Sequence, residues 1–257
     1  LKYYVETYGC QMNVYDTGKI EELLRENSYS HTEHPEEADI ILVNTCSVRE
    51  KAERRALSRI RDLALVRRRR DALLAVCGCM AQRLGRELLS IRGVDLVVGP
   101  DCYSGLLPKL MRERTDAPKM VDTSRSAAFP FKASAPNRPS GLRAFVSIMK
   151  GCSNRCSFCV VPAVRGPAVS RPREEVLAEV RALVEAGAKD LTLIGQNVNA
   201  YRDAEVDFAR LLSRAAVEVD GVRVRFTTSH PKDMNESILR VLAERENICE
   251  HVHLPLK

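Results

Sequence analysis

Three times within the first eighty residues an apolar run of strand length is followed by a cysteine and then by residues spaced for a helix. That recurring order constrains the fold more than any other feature of the chain. Residues 2–7 read as a strand leading to Cys10, residues 39–44 as a buried strand leading to Cys46, and residues 73–76 as a strand running into Cys77, Gly78 and Cys79. Between them Ile20, Leu23 and Leu24 share a helical face, with Asp16 or Thr17 as its cap, and Val48, Ala52, Ala56, Ile60 and Leu63 mark the next helix. A fourth strand, 95–98, ends at Gly99. Strands alternating with helices predict a parallel sheet with right-handed crossovers, and such sheets bind ligands beyond the carboxyl ends of their strands. Cys10, Cys46 and Cys79 therefore converge from three loops on one sheet edge. Cys77 competes with Cys79, but it lies within an apolar run, where a thiol serves as a small core hydrophobe.

The alternation resumes in the second half. A strand over 144–149 runs into Gly151-Cys152-Ser153-Asn154-Arg155-Cys156-Ser157-Phe158-Cys159, with spacing C-x3-C-x2-C. A helix over 174–186, a strand over 190–194 ending in Gly195-Gln196-Asn197-Val198-Asn199, and a helix through Phe208, Leu211 and Leu212 follow. Next come a strand over 222–227 ending in Thr228-Ser229-His230-Pro231, a helix over 235–243 and a fourth strand over 251–256, on which His251 and His253 face the same side. Polar groups gather at strand ends, where a parallel barrel keeps its active site, and four strands cannot close one. The expected architecture is α/β: a doubly wound parallel-sheet domain over 1–122, a linker rich in Ser, Ala, Pro and basic residues over 123–143, and a partial (β/α) barrel over 144–257, truncated before closure.

Three thiols within eight residues cannot form a paired disulfide set, but one loop can turn them toward a cluster. Thiolates hold iron-sulfur clusters, and a cube with three protein ligands leaves one iron open. The zinc alternative wants four closed ligands and usually two C-x2-C pairs; the loop has one, at Cys156 and Cys159. Nine cysteines, an odd number, fit metal-binding thiols in a reducing cytoplasm better than a secreted disulfide framework. Cys102 and Cys249 have no partner at motif spacing. The net charge of +6 and the run Arg67 to Arg70 suit either a polyanion or a solvated helix end. No apolar run reaches membrane-spanning length, no Gly-rich phosphate loop is present, and no Ser/His/Asp triad can be argued. Gln196, Asn197 and Asn199 are placed either to bind a cofactor or to satisfy their own turn; Ser229 and His230 either contact a ligand or end a strand.

The motifs Tyr8-Gly9-Cys10-Gln11-Met12-Asn13, Asn44-Thr45-Cys46-Ser47-Val48-Arg49-Glu50, Gly78-Cys79-Met80-Ala81-Gln82-Arg83 and the C-x3-C-x2-C loop resemble those of the radical S-adenosylmethionine methylthiotransferases, nearly end to end. Cys156 to Pro162, Arg165-Gly166, Ser170-Arg171-Pro172, Gly195 to Asn199 and Thr228 to Pro231 resemble the branch acting on isopentenyl-adenosine in tRNA; other branches modify threonylcarbamoyl-adenosine or a ribosomal-protein aspartate. Ala163 departs from an aromatic common in that branch. The resemblance implies two [4Fe-4S] clusters, one on Cys10, Cys46 and Cys79 and one on Cys152, Cys156 and Cys159. It also implies S-adenosylmethionine as cofactor, with Phe158 near its adenine, and hydrogen abstraction from C2 of adenine before methylthio attachment. Implied partners are tRNA, an electron-donor protein and iron-sulfur assembly proteins. A zinc-stabilised nucleic-acid-binding module is the alternative of another class.

Overall fold

The structure, a computed structural model, describes residues 1–68, 72–113, 119–129, 131 and 141–255. The chain forms two compact units, Leu1–Lys132 with Ala163–Arg165, and Ala133–Pro162 with Gly166–Lys257.

In unit 1 the order is β1 (Lys2–Tyr8), α1 (Gln11–Glu26), β2 (Ser30–His31), β3 (Ile40–Thr45), α2 (Glu50–Arg68), β4 (Leu73–Gly78), α3 (Cys79–Leu84), β5 (Leu96–Val98), α4 (Leu106–Glu113) and β6 (Met120–Asp122). The six strands form one sheet in the order β2-β1-β3-β4-β5-β6, with every pairing parallel. β3 and β4 are buried along their whole length because both faces are covered. Ile40 and Leu42 pack with Ile20, Leu24 and Leu106 on one face. Ile41 and Val43 pack with Ala56, Ile60 and Leu63 on the other. Each such Ile, Leu or Val side chain contributes about 1.5–3 kcal/mol on leaving water. The unit is doubly wound, as the alternation predicts.

Several details differ from the expectation. α1 starts at Gln11 with Cys10 as its N-cap, so Asp16 and Thr17 lie inside the helix and are buried. Val48 is exposed and precedes α2, which starts at Glu50. β2 and β6 are additional strands. Of the arginine run, Arg67 pairs with Asp95 at 3.0 Å, and 69–70 fall outside the described residues, as do 130 and 132–140 of the expected linker.

Unit 2 contains β7 (Arg143–Ser147), β8 (Met149–Lys150), α5 (Val161–Arg165, whose last three residues group with unit 1), β9 (Val169–Ser170), α6 (Arg173–Glu185), β10 (Asp190–Ile194), β11 (Arg202–Asp203), β12 (Val206–Asp207), α7 (Phe208–Glu218), β13 (Arg223–Thr227) and α8 (Glu236–Glu244). β13-β10-β7 is a parallel sheet; β8 with β9 and β11 with β12 form short antiparallel pairs. Alternate residues Ala144, Val146, Leu191, Leu193, Val224 and Phe226 face one core with Val180, Leu183, Leu211 and Ile238 from the helices. The fourth strand does not form among the described residues. A single parallel bridge, Val224 to Ile248, takes its place, and 251–255 carries no strand, so His251 and His253 do not share a strand face.

Candidate functional site

The strand order of unit 1 reverses direction between β1 and β3, and in open parallel sheets the crevice beyond the strand ends at such a reversal is where ligands bind. Cys10 follows β1, Cys46 follows β3 and Cys79 follows β4, all at the carboxyl end. Cys46 and Cys79 are buried and Cys10 is exposed. The three thiols sense one another. The Cys46 side chain hydrogen-bonds Cys10, and with help from backbone N–H groups at the start of α1 and from the positive charge of Arg165 this pushes the Cys10 thiol down to about 6, although the protein around the sulfur costs it some hydration. The same bond, with burial and the charges of Cys10 and Cys79, pushes Cys46 up. Iodoacetamide should therefore alkylate Cys10 in the metal-free protein with half-maximal rate near pH 6, ahead of buried Cys46 and Cys79, since the thiolate is the nucleophile. Mass-spectrometric mapping across pH checks this, and equal labelling of the three would contradict it.

Four polar side chains brace these loops without contributing a thiol. The Asn13 Nδ2 group donates to Asn44 Oδ1 at 3.0 Å and to the Thr45 carbonyl at 3.1 Å, while its Oδ1 accepts the Cys10 backbone N–H at 3.3 Å. In return Asn44 Nδ2 donates to the Asn13 carbonyl and to Thr17 Oγ1, each at 3.0 Å. Asn13 occupies the third helical position, so its reach back to the cap residue resembles a capping box with cysteine in place of serine. Thr45 Oγ1 donates to the Cys77 carbonyl at 2.5 Å and so ties β3 to β4. Cys77, at the end of β4, belongs to the α1 face of the core, its thiol facing the Val43 carbonyl at 3.6 Å, and burial pushes it up, whereas the Cys79 thiol meets the polar groups beyond the strand end. Cys102 is likewise occupied, donating to Asp122 Oδ1 at 3.2 Å.

One residue at this edge comes from far along the chain. Arg165, buried, donates from Nη2 to Asp16 Oδ2 at 2.7 Å and from Nε to Cys79 Sγ at 3.1 Å. Sequence reading placed Arg165 in a motif but gave it no partner. Burial pushes the Cys79 thiol up, and the Arg165 charge and its bond to sulfur oppose that.

In unit 2, the loop Gly151 to Cys159 is held from several sides. The Gly151 N–H donates to Gln196 Oε1 at 2.5 Å, and Gly151 has φ +71°, where an added Cβ would run into the Pro167 and Gly166 carbonyls. Cys152 N–H donates to the Gly166 carbonyl at 3.1 Å and Cys159 N–H to the Cys156 carbonyl at 3.1 Å. His230 Nδ1 accepts the Lys232 N–H at 3.1 Å, which assigns the proton of the neutral ring to Nε2, 3.5 Å from Cys156 Sγ. Asn199 pairs with both backbone groups of His230, each at 2.9 Å, and Asn197 donates to Asp233 at 2.6 Å. The amides of 196–199 therefore brace other loops rather than their own turn. Two buried atoms here keep no hydrogen-bond partner, Asn197 Oδ1 and Ser229 Oγ. Phe158, between two thiols, is 68% exposed.

Among the described residues no three His, Cys, Asp or Glu side chains converge closely enough to share one metal ion. Residues 2–99 match the family described as "Uncharacterized protein family UPF0004", and residues 146–257 match the radical SAM superfamily. A protein of Parabacteroides distasonis named tRNA-2-methylthio-N(6)-dimethylallyladenosine synthase is 44% identical over 99% of this chain and 57% of its own length. One of the same name from Chlorobium phaeobacteroides is 43% identical over 100% of this chain and 58% of its own. In both of its parts the chain is similar to proteins of that synthase name, with a radical SAM match in its second half. It spans somewhat over half the length of the curated relatives it matches. A radical S-adenosylmethionine methyltransferase, TsrM, from Kitasatospora setae, solved with tryptophan and a cofactor analogue, matches in structure with TM-score 0.72 at 14% identity, covering 98% of this chain and 58% of that one; this likeness concerns fold alone. The radical SAM match over residues 146–257 implies S-adenosylmethionine and a [4Fe-4S] cluster. No described helix is long and apolar enough to cross a membrane.

Proposed function

We propose that this chain is the catalytic part of an enzyme that attaches a methylthio group to C2 of an isopentenylated adenosine next to the tRNA anticodon. The observation that carries the reading is the presence of two separate thiol triads at strand carboxyl ends, one in each unit, in a chain whose relatives bear that synthase name. Cys10, Cys46 and Cys79 would hold one [4Fe-4S] cluster and Cys152, Cys156 and Cys159 the other. The donor chemistry fits: thiols in both places, with Cys10 already biased toward thiolate. For S-adenosylmethionine, the buried, unpartnered Asn197 Oδ1 and Ser229 Oγ are polar atoms waiting for a donor or acceptor, and an unmade bond there is costly. Phe158 offers an exposed ring for adenine, and Gln196 and His230 hold the loop beneath it.

Held there, the clusters and S-adenosylmethionine would supply the electron, the radical chemistry, the sulfur and the methyl group that the reaction needs. The chain's own groups hold and orient. Gln196 fixes the amide of Gly151, His230 fixes Cys156, and Asn13 with Asn44 fixes the cysteine-bearing turns of unit 1. An external electron donor and iron-sulfur assembly proteins are the partners such chemistry requires.

Two measurements test this. Anaerobic reconstitution should load about eight irons per chain, falling to about four when Cys10, Cys46 and Cys79 are all replaced by Ala; about four in the parent would sink the two-cluster assignment. Mass spectrometry of tRNA nucleosides from cells lacking and regaining the full-length gene should show loss and return of the methylthio group on isopentenyl-adenosine. Its loss from threonylcarbamoyl-adenosine or a ribosomal protein instead would reassign the substrate, and a colourless protein carrying stoichiometric zinc would overturn the enzyme reading.

A further inference from the structure

The buried charge pair of unit 1 has a form that a purely structural ion pair would not need. Asp16 and Arg165 are 2% and 5% exposed. Two charges taken out of water recover their lost hydration only if the geometry is good and the remaining donors are used. The Nε and Nη2 edge of a guanidinium grips a carboxylate best with two parallel bonds. Here that edge is divided: Nη2 goes to Asp16 Oδ2 at 2.7 Å, and Nε goes to Cys79 Sγ at 3.1 Å. Asp16 gives up the second bond so that the cation can face a sulfur. Asp16 itself projects from the second turn of α1, the helix that Cys10 caps, so the aspartate that holds the arginine is fixed by the same helix that sets the first thiol.

We infer that Arg165, anchored by Asp16, is a positioning residue for the cluster on Cys10, Cys46 and Cys79: its N–H bond and charge hold the Cys79 sulfur and set the reduction potential of that cluster. Hydrogen bonds to ligand sulfurs and local charge are the means by which a protein moves such potentials. One-electron reduction adds a negative charge to the cluster, and a cation donating to a ligand sulfur stabilises the reduced form more than the oxidised one. Removing Arg165 therefore shifts the potential to more negative values. The inference rests on the cluster assignment proposed above.

The test uses the full-length protein with Cys152, Cys156 and Cys159 all replaced by Ala, so that only one cluster reports. After reconstitution, a dithionite titration followed by electron paramagnetic resonance gives the midpoint potential and the reduced-state spectrum. Arg165→Met is expected to lower the potential and change the spectrum, and Arg165→Lys, which keeps the charge but lacks the rigid fork that aims one N–H at Asp16 and another at Cys79, is expected to fall between. Should Arg165→Met fail to fold, the double variant Asp16→Asn with Arg165→Met leaves no orphaned buried charge and carries the same readout. Potential and spectrum equal to the parent in the folded variants would overturn the role of Arg165. Failure of the parent itself to take up iron would overturn the cluster assignment instead.

Discussion

Cys46→Ala is expected to reduce methylthiolation of tRNA to background while the protein still cleaves S-adenosylmethionine to methionine and 5′-deoxyadenosine; Cys156→Ala is expected to abolish both. The asymmetry follows from where the two residues lie. Cys46 sits just past the end of β3 in unit 1, buried, accepting the Val48 N–H at 3.3 Å and hydrogen-bonded to the Cys10 thiol. Its loss removes one of three thiols from that edge, and two thiols do not hold a cube that normally takes three or four. The strand core is untouched, because Ile41 to Val43 supply the packing on both faces of β3. Cys156 belongs to the other loop, in unit 2, where His230 faces it at 3.5 Å. Chromatography of 5′-deoxyadenosine alongside mass spectrometry of digested tRNA separates the two activities. If Cys46→Ala loses S-adenosylmethionine cleavage as well, the division of labour between the triads is wrong.

Gly78→Ala should be far more damaging than its size suggests. Gly78 has φ +96°, a backbone region that an L side chain rarely enters, and an added Cβ would run into the Thr45 carbonyl and the Asn44 side chain. Those are two members of the polar brace that holds the turn after β3 against α1. Gly221 supplies the comparison, since it also has positive φ, at +71°, but open space where a Cβ would go. Gly221→Ala is expected to cost about 1 kcal/mol from backbone strain alone, and Gly78→Ala more than about 3 kcal/mol from strain plus clash. Denaturant unfolding of the metal-free protein, with iron uptake measured in parallel, checks both. Equal midpoints for the two variants would show that the brace yields without cost.

Much of this was readable in the sequence because its signals are periodic. Strands buried on both faces read as continuous apolar runs, and 40–43 and 73–76 are such runs. β2 and β6 escaped because two exposed residues in the one and three partly buried residues in the other make no pattern. The expected strand over 251–256 failed for the opposite reason: His251-Val252-His253-Leu254 alternates well, but only Ile248 makes a bridge to β13. The cap of α1 was misplaced because cysteine is not among the usual capping residues, and its cue, Asn13 three positions on, replaces the Glu or Gln of a familiar box. The thiols themselves were visible by strand-end position. Their support was not: the Asn13 and Asn44 amides lie 31 residues apart and Asp16 and Arg165 lie 149 apart, and no local pattern links residues so distant.

The brace of Asn13, Asn44, Thr17 and Thr45 contains no sulfur and no metal donor, and every bond in it is made between protein groups. The turns after β1 and β3 are thus tied to each other, and β3 to β4, by protein groups alone, so the position of the cysteine-bearing edge is written into amides and hydroxyls and not into the sulfur atoms it presents.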